Sequence, residues 1–123
     1  MGDHMSEIRL GAVESKFADI IWNNEPLRPV ELEKLAEAEL NWKRTTTLTI
    51  LKRLCERGIF QNKDRIITSL ISREEFYALQ SEKFVNDTFE GSLPAFLTAF
   101  GSRKKLSDKE VEELKKVIDS MRR

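Results

Sequence analysis

The sequence changes its period at Gly58, and that change limits the fold more than any other feature. Upstream, apolar residues recur three and four apart, the spacing of helices with one buried side. Val13, Phe17, Ile20 and Ile21 form one such series, closed by Asn23-Asn24-Glu25-Pro26. Pro29 suits the first position of a second helix, where its missing N–H costs nothing, and Leu32, Leu35 and Ala36 give that helix its buried side. A link at Leu40-Asn41-Trp42 leads to a third helix from about Lys43 to Arg57, with an apolar stripe at Leu48, Leu51, Leu54 and Cys55. Beyond Gly58 come Ile59-Phe60-Gln61, the polar run Asn62-Lys63-Asp64-Arg65, and β-branched Ile66-Ile67-Thr68. That pattern predicts two short strands around a turn. Three helices followed by a hairpin is the plan of a winged helix-turn-helix. The expected fold is mainly α: a winged helix over residues 6–73, then a helical dimerisation region over 74–123.

Composition narrows the function classes. No apolar stretch approaches the ~20 residues that span a bilayer, and no cationic-then-apolar signal opens the chain. One cysteine, Cys55, excludes an internal disulfide and fits a reducing, cytoplasmic setting. Met1-Gly-Asp-His-Met5 reads as an expression scar, which sets aside His4, the one histidine. With no glycine-rich phosphate loop and no carboxylate pair in an apolar setting, neither an enzyme, a cofactor nor a metal site is expected.

The formal net charge is zero, yet the charge is unevenly spread. Ile8 to Glu39 holds four basic and seven acidic residues, a balance of −3. Leu40 to Arg73 holds eight basic residues against Glu56 and Asp64, a balance of +6. A concentrated basic segment is the footprint of a phosphate-contacting surface, although a solvated face is the plain alternative. The third helix sharpens the choice. Opposite its apolar stripe lie Thr45, Thr46, Thr49, Lys52, Arg53 and Glu56, with Lys43 and Arg44 at its start. A major groove ~12 Å wide accepts such a helix, threonines can meet phosphates, base edges or thymine methyls, and arginine can fork onto guanine. Three consecutive threonines are poor helix formers, so something other than propensity favours them. Lys63 and Arg65, at the turn of the hairpin, are expected against the DNA backbone. Trp22 and Trp42 are expected to pack the helical core, with Cys55 a small core residue.

The last third is apolar beyond its needs as a monomer. Phe76, Leu79, Phe84, Val85 and Phe89 form one series; Leu93, Phe96, Leu97 and Phe100 form another. Ser107-Asp108-Lys109-Glu110 has the spacing of a capping box and opens a helix with Val111, Leu114, Val117, Ile118 and Met121 on one side. A twin chain would bury these stripes, and Leu93, Phe96, Leu97, Phe100, Val111, Leu114 and Ile118 are the expected dimer contacts.

These residues resemble the BlaI/MecI/CopY family of penicillinase-repressor-like proteins. The resemblance is carried by Asn41-Trp42 before RTTTLTILKRLCERG, by Ser69-Leu70-Ile71-Ser72, by Phe84-Val85-Asn86 and Phe89-Glu90-Gly91-Ser92-Leu93, and by LSDKEVEELKKVID. It implies a dimeric winged-helix repressor of transcription on a double-stranded DNA operator, released by cleavage through an upstream sensor or by copper. It also matches Thr46, Thr49 and Arg53 to the family's recognition helix and Gly58 to its end. Two features depart from the family. Ala99-Phe100 stands where the family has its Asn-Phe cleavage site, and the paired C-terminal cysteines of the copper-responsive members are missing. The sensor, the protease and the inducing signal are therefore left open. The competing classes are a winged helix used for protein contacts alone and sequence-independent DNA binding. The threonine-plus-basic face disfavours the first, and the neutral overall charge disfavours the second.

Overall fold

The computed structural model describes residues 10–123; the scar reading at Met1–Met5 lies outside them. Helices α1 (Ala12–Asn24), α2 (Pro29–Leu40) and α3 (Arg44–Glu56) are followed by strands β1 (Phe60–Lys63) and β2 (Ile66–Ser69). Helices α4 (Arg73–Phe89), α5 (Leu93–Gly101) and α6 (Asp108–Ser120) complete the chain. The chain is thus mainly helical with a two-stranded antiparallel hairpin after its third helix, as a winged helix requires. It divides into two compact units, one reaching to Lys83 and one from Phe84 to Arg123, so that α4 contributes to both.

Local chemistry sets the element ends in the first unit. Glu14 and Glu31, each in a first turn, accept hydrogen bonds from the orphan N–H groups of Gly11 and Arg28. Asn41 ends α2 in the left-handed region at φ 58°, which a short polar side chain tolerates. The reversal closes with the Trp42 N–H on the Ala36 carbonyl and sets the Trp42 ring 5.0 Å from Phe17. Gly58, at φ 80°, lets the chain leave α3 directly into the hairpin, a conformation that a side chain would strain.

The core of this unit gathers Phe17, Ala18, Ile20 and Ile21 of α1, Leu32 and Ala36 of α2, and Leu51 and Leu54 of α3, with Leu27, Ile59, Phe60, Ile67 and Phe76. Each large side chain so buried contributes ~1.5–3 kcal/mol. Trp22 and Trp42 both pack against this core, as does Cys55. Two residues are placed differently from what periodicity suggested. Val13 is half exposed, because the buried side of α1 centres on Phe17 and Ile21, one turn apart. Phe76, grouped by sequence with the C-terminal apolar series, is buried here, its ring 5.7 Å from Trp22. The Trp22 indole N–H meanwhile donates to the Ile71 carbonyl at 3.1 Å, which fixes the ring among Phe60, Phe76 and Tyr77.

The hairpin is rooted twice in the segment between α1 and α2. Leu27 and Ile67 exchange both backbone hydrogen bonds as an antiparallel bridge, a third, one-residue edge to the sheet. Beside it, the Glu25 carboxylate accepts from the Ser69 N–H at 2.7 Å and from the Ser69 hydroxyl. The register pairs Phe60 with Ser69 and Lys63 with Ile66, leaving the two-residue loop Asp64-Arg65.

In the second unit no residue is fully buried. Phe84, Phe89 and Phe96 meet edge to face at centroid distances of 5.6–6.1 Å. Ser92 caps α5 by accepting from the Ala95 N–H. The capping box of α6 is complete: Ser107 Oγ accepts from the Glu110 N–H, and Glu110 accepts from the Ser107 N–H. The Ser107 N–H, and after it the Ser107 hydroxyl, hold the Glu110 carboxyl below the usual glutamate range.

Candidate nucleic-acid interface

α3 carries two faces because its buried residues fall at Thr47, Leu51 and Leu54, four and three apart. Thr47, the middle of the three consecutive threonines, is fully buried, and its hydroxyl donates to the Lys43 carbonyl at 3.0 Å. This back-bond satisfies the hydroxyl inside its own helix, so a polar residue occupies a core position without an orphan group. Lys43, Arg44, Thr45, Thr46, Thr49, Lys52 and Arg53 are all exposed. Lys63 and Arg65 are exposed as well, at the tip of the hairpin. Both residues of that tip have positive φ, Asp64 at 55° and Arg65 at 62°, the pairing of a type I′ turn.

The basic segment is not a uniform field of free charge. Arg44 meets Glu33 of α2 at 3.3 Å, Arg53 meets Glu14 of α1 at 3.2 Å, and Arg73 meets Asp19 at 2.8 Å. The hydrogen bond and charge of Asp19 raise the Arg73 guanidinium further above its ordinary range, while the Tyr77 ring lies 4.9 Å beneath it. Lys43, Lys52, Lys63 and Arg65, by contrast, make no ion pair among the described residues. The sequence did not reveal this division. Glu14 and Arg53 are 39 residues apart, and no local pattern links them.

Burial, with Glu56 beside it, pushes the Cys55 thiol above its ordinary value, away from the thiolate that reacts. Among the described residues no three His, Cys, Asp or Glu side chains gather into a metal site, and no helix is long and apolar enough to cross a membrane.

The expected dimer contacts all lie in the second unit. Leu93, Phe100 and Ile118 are exposed, while Phe96, Leu97, Val111 and Leu114 are half-buried. Phe96, Leu97, Phe100, Leu106, Leu114 and Val117 line an open apolar cleft of about 520 Å³ between α5 and α6.

A three-helix core with a hairpin wing and an exposed polar face on the third helix defines a winged-helix protein. The sequence profile of the penicillinase repressor family matches residues 10–120. Relatives carry the same likeness over nearly their whole length. The methicillin resistance regulatory protein MecI of Staphylococcus aureus strain Mu50 is 25% identical over 114 residues, covering 89% of this chain and 93% of its own. MecI of Mammaliicoccus sciuri is 24% identical over 114 residues, with the same coverage. The penicillinase repressor of Bacillus licheniformis is 22% identical over 115 residues, 90% of each chain. The chain belongs to the penicillinase repressor family, a family of transcriptional repressors and not of enzymes.

Proposed function

We propose that this protein is a cytoplasmic homodimer that represses transcription by binding a palindromic operator in a sequence-specific way. The observation that carries this reading is the outer face of α3, where Thr45, Thr46, Thr49 and Lys52 stand exposed on a helix whose other face is locked into the core. Threonine hydroxyls and methyls suit base edges and thymine methyls, and the lysines suit phosphates. Lys63 and Arg65 meet the DNA backbone from the hairpin, as exposed cations with no ion pair among the described residues to break first.

The second unit supplies the link between two reading heads. A unit with no buried residue, whose apolar side chains line an open cleft, has not completed a core of its own. A second copy completes it, and joining two heads raises overall affinity by ~10²–10⁴ without a new DNA contact. Two-fold symmetry in the protein then calls for two-fold symmetry in the operator.

Sedimentation of the full chain, with DNA titration in parallel, tests the reading. The wild type sediments as a dimer at micromolar concentration and binds one palindromic duplex per dimer. Phe100→Asp with Val117→Asp places carboxylates on the cleft at two side chains that are exposed in the single chain, and circular dichroism checks that the variant keeps its helices. That variant sediments as a monomer and loses the dimer's affinity gain. A wild-type monomer binding as one subunit per site refutes the proposal.

A further inference from the structure

Arg53 lies on the outer face of the reading helix, yet its guanidinium is engaged inside the protein. Its Nη1 donates to Oε2 of Glu14 at 3.2 Å, while Oε1 of the same carboxylate accepts from the Gly11 N–H that opens α1. Glu14 is therefore occupied on both oxygens, and its side chain is only 22% exposed. The cation is attached to a fixed acid, not the acid to a fixed cation. At the other end of α3, Arg44 makes a looser ion pair with Glu33 of α2, whose side chain is 20% exposed.

Helical geometry gives these two ties a mechanical meaning. Thr46, Thr49 and Arg53 are spaced by three and four, so they share one edge of α3. Arg44 falls on the opposite flank and nine residues earlier, about 13 Å along the axis. Two ties on opposite flanks and opposite ends oppose rolling of the helix. A roll of about 10° moves side-chain tips at a radius of ~5 Å by roughly 1 Å. The useful range of a hydrogen-bond length is about 0.5 Å, so such a roll uncouples a threonine from a base edge.

Resting on the reading of α3 as the DNA-contacting helix, we infer that Glu14 is a specificity-determining positioning residue. Through Arg53 it trims the small rotation that core packing leaves to α3, and so the register of Thr46 and Thr49 over the bases. Arg53 serves as the strut and reads no base itself.

The sign of the effect separates this role from a general one. Neutralising an acid near DNA strengthens binding to any sequence, because phosphates are no longer opposed. Loss of positioning weakens the preferred sequence alone. The assay uses the full chain, a duplex selected by the wild type from a random-sequence pool, and a random-sequence duplex of equal length. Circular dichroism and thermal melting accompany each variant. For Glu14→Gln, random-duplex binding is equal or tighter, while the ratio of selected to random affinity falls about tenfold, the discrimination of one base contact. Glu14→Asp, one methylene short of Arg53, keeps the charge; random binding holds and the ratio falls. Arg53→Gln lowers the ratio in the wild-type background and adds nothing in Glu14→Gln, as a double-mutant cycle for one coupled pair requires. A ratio that stays at the wild-type level in both Glu14 variants overturns the inference while leaving the repressor reading intact. So does an Arg53→Gln loss that is equally large in both backgrounds. A wild type that does not distinguish the two duplexes overturns the repressor reading, and this inference with it.

Discussion

Replacing Arg65 with glycine should make the protein more stable and a weaker DNA binder at once. Arg65 is the second residue of the hairpin loop and sits at φ 62°, where a side chain crowds the following carbonyl. That crowding costs roughly 1–2 kcal/mol for an ordinary residue. Glycine removes it but adds freedom to the unfolded chain, which offsets about 0.4–1 kcal/mol. The difference leaves a gain of about 0.5–1 kcal/mol, or a rise in melting temperature of roughly 2–6 °C for a unit of this size. No ion pair is lost, because Arg65 makes none among the described residues. If the guanidinium meets a phosphate, the slope of log affinity against log salt should shrink by about one unit. Asp64→Gly is the control: it relieves the same turn at φ 55° while removing an acid, so the salt slope should not shrink. Differential scanning calorimetry and titrations at three salt concentrations measure both quantities. A lower melting temperature for Arg65→Gly refutes the strain reasoning, and an unchanged slope removes Arg65 from the interface.

Three further outcomes follow from the geometry. Glu25→Ala leaves the Ser69 N–H and hydroxyl without their acceptor and should cost about 1–3 kcal/mol in urea denaturation, with faster amide exchange in β2. Thr46→Ala should weaken the selected duplex by ~1–3 kcal/mol and leave random DNA unaffected; equal losses on both would make Thr46 a phosphate contact. The Glu110 carboxyl is held low by the Ser107 N–H and hydroxyl, so its capping contribution is present above the ordinary glutamate pKa and lost as pH falls through the lower folded value. Amide shifts of Ser107 and Glu110 should therefore move only below the ordinary glutamate range, and Glu110→Gln should flatten them.

The helices and the hairpin were legible because each is written locally. Pro29, the Ser107 box and Gly58 mark element ends by chemistry that acts within four residues. Thr47 was not legible in that way, since a buried threonine that bonds its own helix looks in sequence like its exposed neighbours. Phe76 was misgrouped because α4 is one continuous helix whose early turns face the first core, and periodicity along a helix does not say which core it meets. The candidate reading face was legible as a pattern of residue types. Its internal ties were not, because Glu14–Arg53 and Glu33–Arg44 join separate helices and depend on their packing. The bridge from Leu27 to Ile67 was missed for the same reason: one residue of strand has no period.

That bridge, with the Glu25–Ser69 contact beside it, bears on how this protein can change over generations. The base of the hairpin is held by backbone pairing and by a carboxylate, neither of which involves residues 63–65. Mutations that lengthen, recharge or reshape the tip therefore meet no penalty from the core. A lineage can vary the side chains of Lys63, Asp64 and Arg65, within what the positive φ of positions 64 and 65 tolerates, while α3 and the fold stay constant, and an engineer can exchange the tip as an interchangeable part. On the proposed reading, drift at the tip would retune how firmly the protein holds DNA without altering which sequence α3 prefers.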